Sequence, residues 1–245
     1  MRKRITSLLL TLVMLLSLVP AMGVTAFAAA YPSSVTVYNQ NGKLIGLSDG
    51  QYLSANNASS ASTGYNGTQS YVARYDKSSG TLYLKGYHGV ATGSGIVASG
   101  DLNIEVESDS SITASKTSTD DLIGIQATGK LNISGSGKLA VTASGKNKNT
   151  VYGIFAKEGV TISAPLDVKV DLNDGMKTEM YGIYTKSGAI SLSGNDMTVT
   201  VTGGSGTVYG VYNKAKTSST ADNGNITIGG KLTVSLSNGK NNRGT

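Results

Sequence analysis

The residues best suited to chemistry recur at a fixed spacing. Phe155, Tyr184 and Tyr212 each stand two residues after a glycine, and Lys157, Lys186 and Lys214 each stand four after it. Aromatic rings stack on the apolar faces of sugars, and ammonium groups attract carboxylates. Such a pattern fits non-covalent binding of a sugar polymer, acidic ones included. The same rings would equally serve to stabilise neighbouring strands. Tyr152, Tyr181 and Tyr209, one residue before the same glycines, are assigned to the buried face or a corner.

No other residues make a reactive set. The chain of 245 residues has no Cys and a single His, which excludes thiol catalysis, zinc ribbons, iron–sulfur sites and disulfide scaffolds. That histidine, His88, precedes Gly89 with no nucleophile beside it and reads as an exposed loop residue. Acidic residues gather at Asp120-Asp121, Asp171-Leu172-Asn173-Asp174-Gly175, Asn195-Asp196 and Asp222-Asn223-Gly224-Asn225. All four read as turns, where Asp and Asn are expected on conformational grounds. Calcium takes roughly six to eight oxygens. None of these runs matches a calcium loop, so no cofactor is expected, Ca²⁺ at one of the turns being the alternative. The glycine-rich turns match no phosphate-binding loop.

The elements that must position these residues come from a repeat. Gly95, Gly124, Gly153, Gly182 and Gly210 follow one another at intervals of 29, 29, 29 and 28. Each begins a unit with three short runs in the same order. The first holds Ile96, Ile125, Ile154, Ile183 or Val211; the second Leu102/Ile104, Leu131/Ile133, Val160/Ile162, Ile190/Leu192 or Ile226/Ile228. The third holds Ile112/Ala114, Leu139/Val141, Val168/Val170, Val199/Val201 or Leu232/Val234/Leu236. Apolar residues alternate with polar ones, the period of strands buried on one face. Three strands per roughly 29 residues, with like residues at like positions, predict an all-β fold: a right-handed parallel β-helix whose coils stack about 4.8 Å apart. Strand alternation then sets the aromatic and lysine positions opposite the buried Ile, as two ladders on one flat outer sheet.

The ends differ from the repeats. Residues 1–28 read as a signal peptide: Arg2, Lys3 and Arg4, an apolar run from Ile5 to Leu18, then Ala26-Phe27-Ala28 as a cleavage site. Taking those three basic residues from the 21 present leaves 18 against 15 acidic ones, so the net charge falls from +6 to +3. No dense basic stripe remains, which argues against a nucleic-acid partner, and no membrane partner is expected after cleavage. Residues 29–90 read as an N-terminal β-hairpin cap, with a mobile loop from Asn56 to Gly67. Residues 91–245 form the helix proper, with an insertion from Ala215 to Asn223 and an unfinished further coil at Arg243-Gly244-Thr245.

The Gly-Ile/Val repeats, with Tyr75-Asp76-Lys77-Ser78-Ser79-Gly80-Thr81-Leu82-Tyr83-Leu84 leading into them, resemble exported β-helix proteins of Gram-positive bacteria. These are described as carbohydrate-binding domain proteins and are related in fold to pectate lyases. The resemblance implies secretion or cell-wall display, and a polysaccharide or cell-wall glycan as partner. Pectate-lyase-like enzymes use a basic residue and Asp-bound calcium on the helix face. Here no Arg lies between Arg74 and Arg243, and no Asp pair is shared by adjacent coils. The expectation is a non-catalytic surface protein that binds polysaccharide or serves as an adhesin-like scaffold. The alternatives are the N-terminal part of a polysaccharide lyase or glycosidase, and a purely structural spacer.

Overall fold

A computed structural model describes residues 31–118, 120–147, 150–172, 178–214, 224–237 and 241–243. The expected signal peptide, the Ala215–Asn223 insertion, the Asn173-Asp174-Gly175 run and Gly244 lie outside these residues.

Every described element is a strand, and the strands form three sheets. In sheet A the repeated strands are β7 (Ile96–Ala98), β10 (Leu122–Ala127), β13 (Val151–Ala156), β16 (Met180–Thr185), β19 (Thr207–Asn213) and β22 (Asn241–Arg243). Sheet B stacks β5 (Thr81–Lys85), β8 (Leu102–Ser108), β11 (Leu131–Gly135), β14 (Val160–Ile162), β17 (Ile190–Leu192) and β20 (Ile226–Ile228). Sheet C stacks β6 (His88–Ala91), β9 (Ser110–Ser118), β12 (Leu139–Asn147), β15 (Leu166–Leu172), β18 (Met197–Gly203) and β21 (Leu232–Ser237). Within each of these stacks, neighbouring strands pair in parallel. The chain is a parallel β-solenoid.

Register follows the repeat. Ile96, Ile125, Ile154, Ile183 and Val211 are consecutive partners in sheet A and are at most 1 % exposed. Leu102, Leu131, Val160, Ile190 and Ile226 are likewise consecutive partners in sheet B, the last of them only partly buried. In sheet C, Ile112, Val141, Val168, Val199 and Val234 form one column, while Leu139 belongs to the row before it, with Leu166, Met197 and Leu232. Each column buries like against like, so one coil's apolar face is completed only by its neighbours. At the turns, side chains reach one coil on: Asp101 accepts from the Lys130 amide at 2.8 Å and Asp109 from the Lys138 amide at 2.8 Å. These carboxylates satisfy backbone donors that the ladders leave unpaired.

The repeated glycine is a site of close approach. A Cβ on Gly182 would lie 2.5 Å from the Gly210 carbonyl oxygen, and one on Gly153 would lie 2.6 Å from that of Gly182. No side chain fits there, which explains why the residue recurs.

At the N-terminal end, β1 (Ser34–Tyr38) and β2 (Leu44–Ser48) form the expected hairpin, and β1 also runs antiparallel to β7. β3 (Tyr52–Leu53) and β4 (Ala73–Asp76) add antiparallel strands to sheet B beside β5. Parallel pairing already begins at β5 and β6, before residue 91. The segment from Asn56 to Gly67, expected as a mobile loop, is tethered instead. Ser62 pairs with Tyr52 through the backbone, Asn39 Nδ2 donates to the Ala58 carbonyl at 2.9 Å, and Asn56 Nδ2 donates to that of Gly86 at 2.8 Å. Its small, Asn-rich composition supplies side chains that replace backbone partners.

Candidate functional site

The outer face of sheet A carries two adjoining aromatic columns. One is Tyr152, Tyr181 and Tyr209, with successive centroids 5.2 and 4.8 Å apart and rings within 11° and 3° of parallel. The other is Phe155, Tyr184 and Tyr212, with centroids 5.5 and 5.8 Å apart and planes within 10° and 27°. Between the columns the rings meet edge to face or tilted, at 5.2 Å for Tyr152–Phe155, 4.9 Å for Tyr181–Tyr184 and 4.5 Å for Tyr209–Tyr212.

The first column corrects the expectation that Tyr152, Tyr181 and Tyr209 belong to the core or a corner. In an uninterrupted strand, residues three apart fall on opposite faces. Here Val151 and Ile154 are both fully buried, yet Tyr152 and Phe155 both face outward. The intervening Gly153 is buried and drops out of the ladder pairing on either side. Alternation slips by one residue at each glycine, and the six rings share a surface. The sequence signal was the Tyr-Gly-Ile/Val-Tyr/Phe spacing itself, once the glycine is recognised as a slip.

Stacking has a chemical consequence. The separation within each column is close to the rise of one coil, so ring faces are turned toward neighbouring coils and cover one another. The middle rings, Tyr181 and Tyr184, are only 6 % and 5 % exposed although they lie outside the apolar core. A sugar ring has no room to lie flat within the column; ring edges and hydroxyls are what solvent meets. Burial pushes the Tyr152 phenol up to about 12, with the negative charge of Asp121 adding to it. Burial likewise raises Tyr181, whose hydroxyl donates to Glu179 at 2.9 Å, and it raises Tyr184. The hydroxyls thus stay protonated at neutral pH and remain hydrogen-bond donors.

Lys157, Lys186 and Lys214 are exposed and stacked, but they leave the flat sheet: each follows the end of its strand, at the corner after sheet A. Their backbone amides donate to Ala127, Ala156 and Thr185 of the preceding coils. The cations therefore flank the rings along one edge. Below Phe155 the next partner is Gln126, so the second column ends on a polar side chain.

His88 does have a hydroxyl beside it. It lies in β6, and its Nδ1 is 2.8 Å from Ser111 Oγ on β9, with the two residues directly paired. Parallel pairing of distant strands made this contact, which chain order hides. Both groups are on an open sheet surface, and among the described residues no carboxylate orients the imidazole. Asp171, read as a turn, is within β15, where its carboxylate sits 3.4 Å from Lys169 Nζ. Among the described residues no three of His, Asp and Glu gather in a metal-binding group.

Compared with protein-family models, curated proteins and solved structures, the chain matches none.

Proposed function

We propose that this chain is an exported, non-catalytic β-solenoid of the adhesin-like, surface-scaffold kind that binds polysaccharide along sheet A. The observation that carries the reading is the pair of outward aromatic columns with Lys157, Lys186 and Lys214 flanking them at coil spacing. Coils rise about 4.8 Å, close to the length of one sugar unit, so a glycan running parallel to the axis meets an equivalent set of groups at each step. It would rest against ring edges and accept hydrogen bonds from the Tyr184 and Tyr212 hydroxyls. Carboxylates on an acidic chain would pair with the lysines. Three like charges in register are unfavourable without an anion, which favours an acidic glycan over a neutral one. The Gly-Ile/Val repeats and leader segment add the resemblance to exported carbohydrate-binding β-helix proteins.

Retention on an immobilised acidic polysaccharide tests the reading. Retention is expected for the chain as it stands, and clearly weaker retention for the triple variant Lys157→Gln, Lys186→Gln, Lys214→Gln. Equal retention of the two would sink the proposal. Release of unsaturated uronates during the same incubation would replace it with the lyase reading.

A further inference from the structure

A second group of aromatic residues surrounds the only arginine of the cap-proximal strands, on a different sheet. Register across the N-terminal end of sheet B runs Tyr52, Arg74, Tyr83, Glu105 and Ser134, one residue from each of β3, β4, β5, β8 and β11. The Arg74 guanidinium carbon lies 3.9 Å from the Tyr83 ring centroid, 4.5 Å from that of Tyr65 and 5.5 Å from that of Tyr71. Tyr65 in turn meets Tyr52 and Tyr71 edge to face, at 5.8 and 5.4 Å. The Lys85 ammonium is 5.9 Å from the Tyr71 ring.

The charge on this guanidinium has rings around it but no acid paired with it. Among the described residues no carboxylate forms a salt bridge to Arg74, and its buried Nε has no hydrogen-bond partner. The acids on the same face are engaged elsewhere. Asp76 accepts from the Ser78 hydroxyl and amide, which hold its carboxyl down with help from the Arg74 charge. Glu105 accepts from the Ser134 hydroxyl at 2.6 Å and Glu107 from the Tyr71 hydroxyl at 2.5 Å. The Tyr71 hydroxyl oxygen also draws on the guanidinium edge, but ring contacts hold a guanidinium through its face and leave its remaining N–H groups to donate. A planar fork of donors fits a carboxylate bidentately. The surrounding phenols can donate to or accept from neutral hydroxyls, and Tyr71 stays protonated at neutral pH.

We propose that Arg74, with Tyr65, Tyr71 and Tyr83, forms a binding site for the carboxylate of a uronic acid residue in an acidic polysaccharide. The guanidinium edge takes the carboxylate, the phenol hydroxyls meet the sugar hydroxyls, and Lys85 adds a second positive charge at the rim. This site is on sheet B and stands independently of the sheet A surface.

Calorimetric titration of the chain with a short oligogalacturonate, and with the same oligomer methyl-esterified, provides the test. The free acid is expected to bind at least about tenfold more tightly than the ester, since a charge-assisted hydrogen-bond pair is lost. In the triple lysine variant of sheet A, Arg74→Gln is expected to bring the acid down to the ester's affinity, with Arg74→Lys falling between the two. The triple lysine variant by itself is expected to keep a preference for the acid over the ester, which separates failure here from failure of the sheet A reading. Equal affinity for acid and ester, or no binding of either, overturns the proposal without relying on any variant. So does equal competition by an acidic peptide, which would mean that the site recognises carboxylates without regard to the sugar. Arg74→Gln leaving the triple lysine variant's affinity for the acid unaltered would likewise overturn it, and thermal melting of each variant confirms that it is folded.

Discussion

The six rings on sheet A and the four rings around Arg74 use mostly the same residue type under different pairing rules. On sheet A, in-register parallel coils put identical side chains one rise apart, and the rings stack within 3° to 27° of parallel along each column. Around Arg74, antiparallel strands and a tethered loop bring unlike positions together, and the tyrosines meet at 64° and 90°. Repetition therefore yields a long surface whose ring faces are already occupied. Departure from the repeat yields a compact group with a cation at its centre that makes no salt bridge among the described residues. A graded, multivalent contact suits the first, and a single oriented ligand suits the second.

The largest expected break in this contrast is at the centre of the column. Tyr181→Ala removes a ring packed against Tyr152, Tyr184, Tyr209 and Tyr212, and should cost about 3 kcal/mol in denaturant unfolding. Tyr65→Ala in the cluster should cost nearer about 1 kcal/mol, because it loses fewer ring contacts and a half-exposed cation–π pair. Similar values for the two would mean that stacking adds nothing beyond area.

Gly182→Ala tests the slip that places both columns outside. Its Cβ would press on the Gly210 carbonyl and on Val199 Cγ1, and overpacking of this kind costs roughly 1–3 kcal/mol. An accompanying drop in tyrosine circular dichroism is expected if the two columns move apart; a stable variant with an unchanged spectrum would show that the glycine is not required for the arrangement.

Alkaline titration sharpens the comparison without substitutions. Tyr71, Tyr75 and Tyr152 are raised from 10.0 to about 12 in the folded chain, burial being the first cause in each. In the unfolded chain these phenols lose their protons first, so above pH 10 the unfolded state binds fewer protons and stability falls as pH rises. The contribution is fully present below about pH 10 and is lost as pH climbs through the folded values. Melting temperature is expected to hold up to that point and then decline, with Tyr152 among the last phenols to ionise by ultraviolet absorbance. Ionisation of every tyrosine near 10 in the folded protein would contradict the burial described here.

The smallest stability effect is expected for the exposed lysines. The triple Gln variant should change unfolding free energy by no more than about 0.5 kcal/mol, so any loss of glycan retention in it reports on binding and not on folding.

The repeat was legible because each unit's apolar positions must meet their counterparts one coil away. Ile96 through Val211, Leu102 through Ile226 and the Asn39-to-Lys43 turn could all be placed from residue type and spacing. The surface was less legible. Strict alternation misassigned Tyr152, Tyr181 and Tyr209, because a buried glycine shifts the pleat by one residue. The His88–Ser111 contact and the Arg74 cluster were hidden because their members come from strands, hairpins and a loop well separated in the chain.

What the sequence determined by itself is the period, and with it the columns: a repeat of about 29 residues with one set of apolar positions leaves no other way to bury them all. Which side chains share the outside was decided only in three dimensions. Outward positions carry no burial requirement, so their grouping depends on where the backbone slips, where a loop is tethered and which distant strands become neighbours.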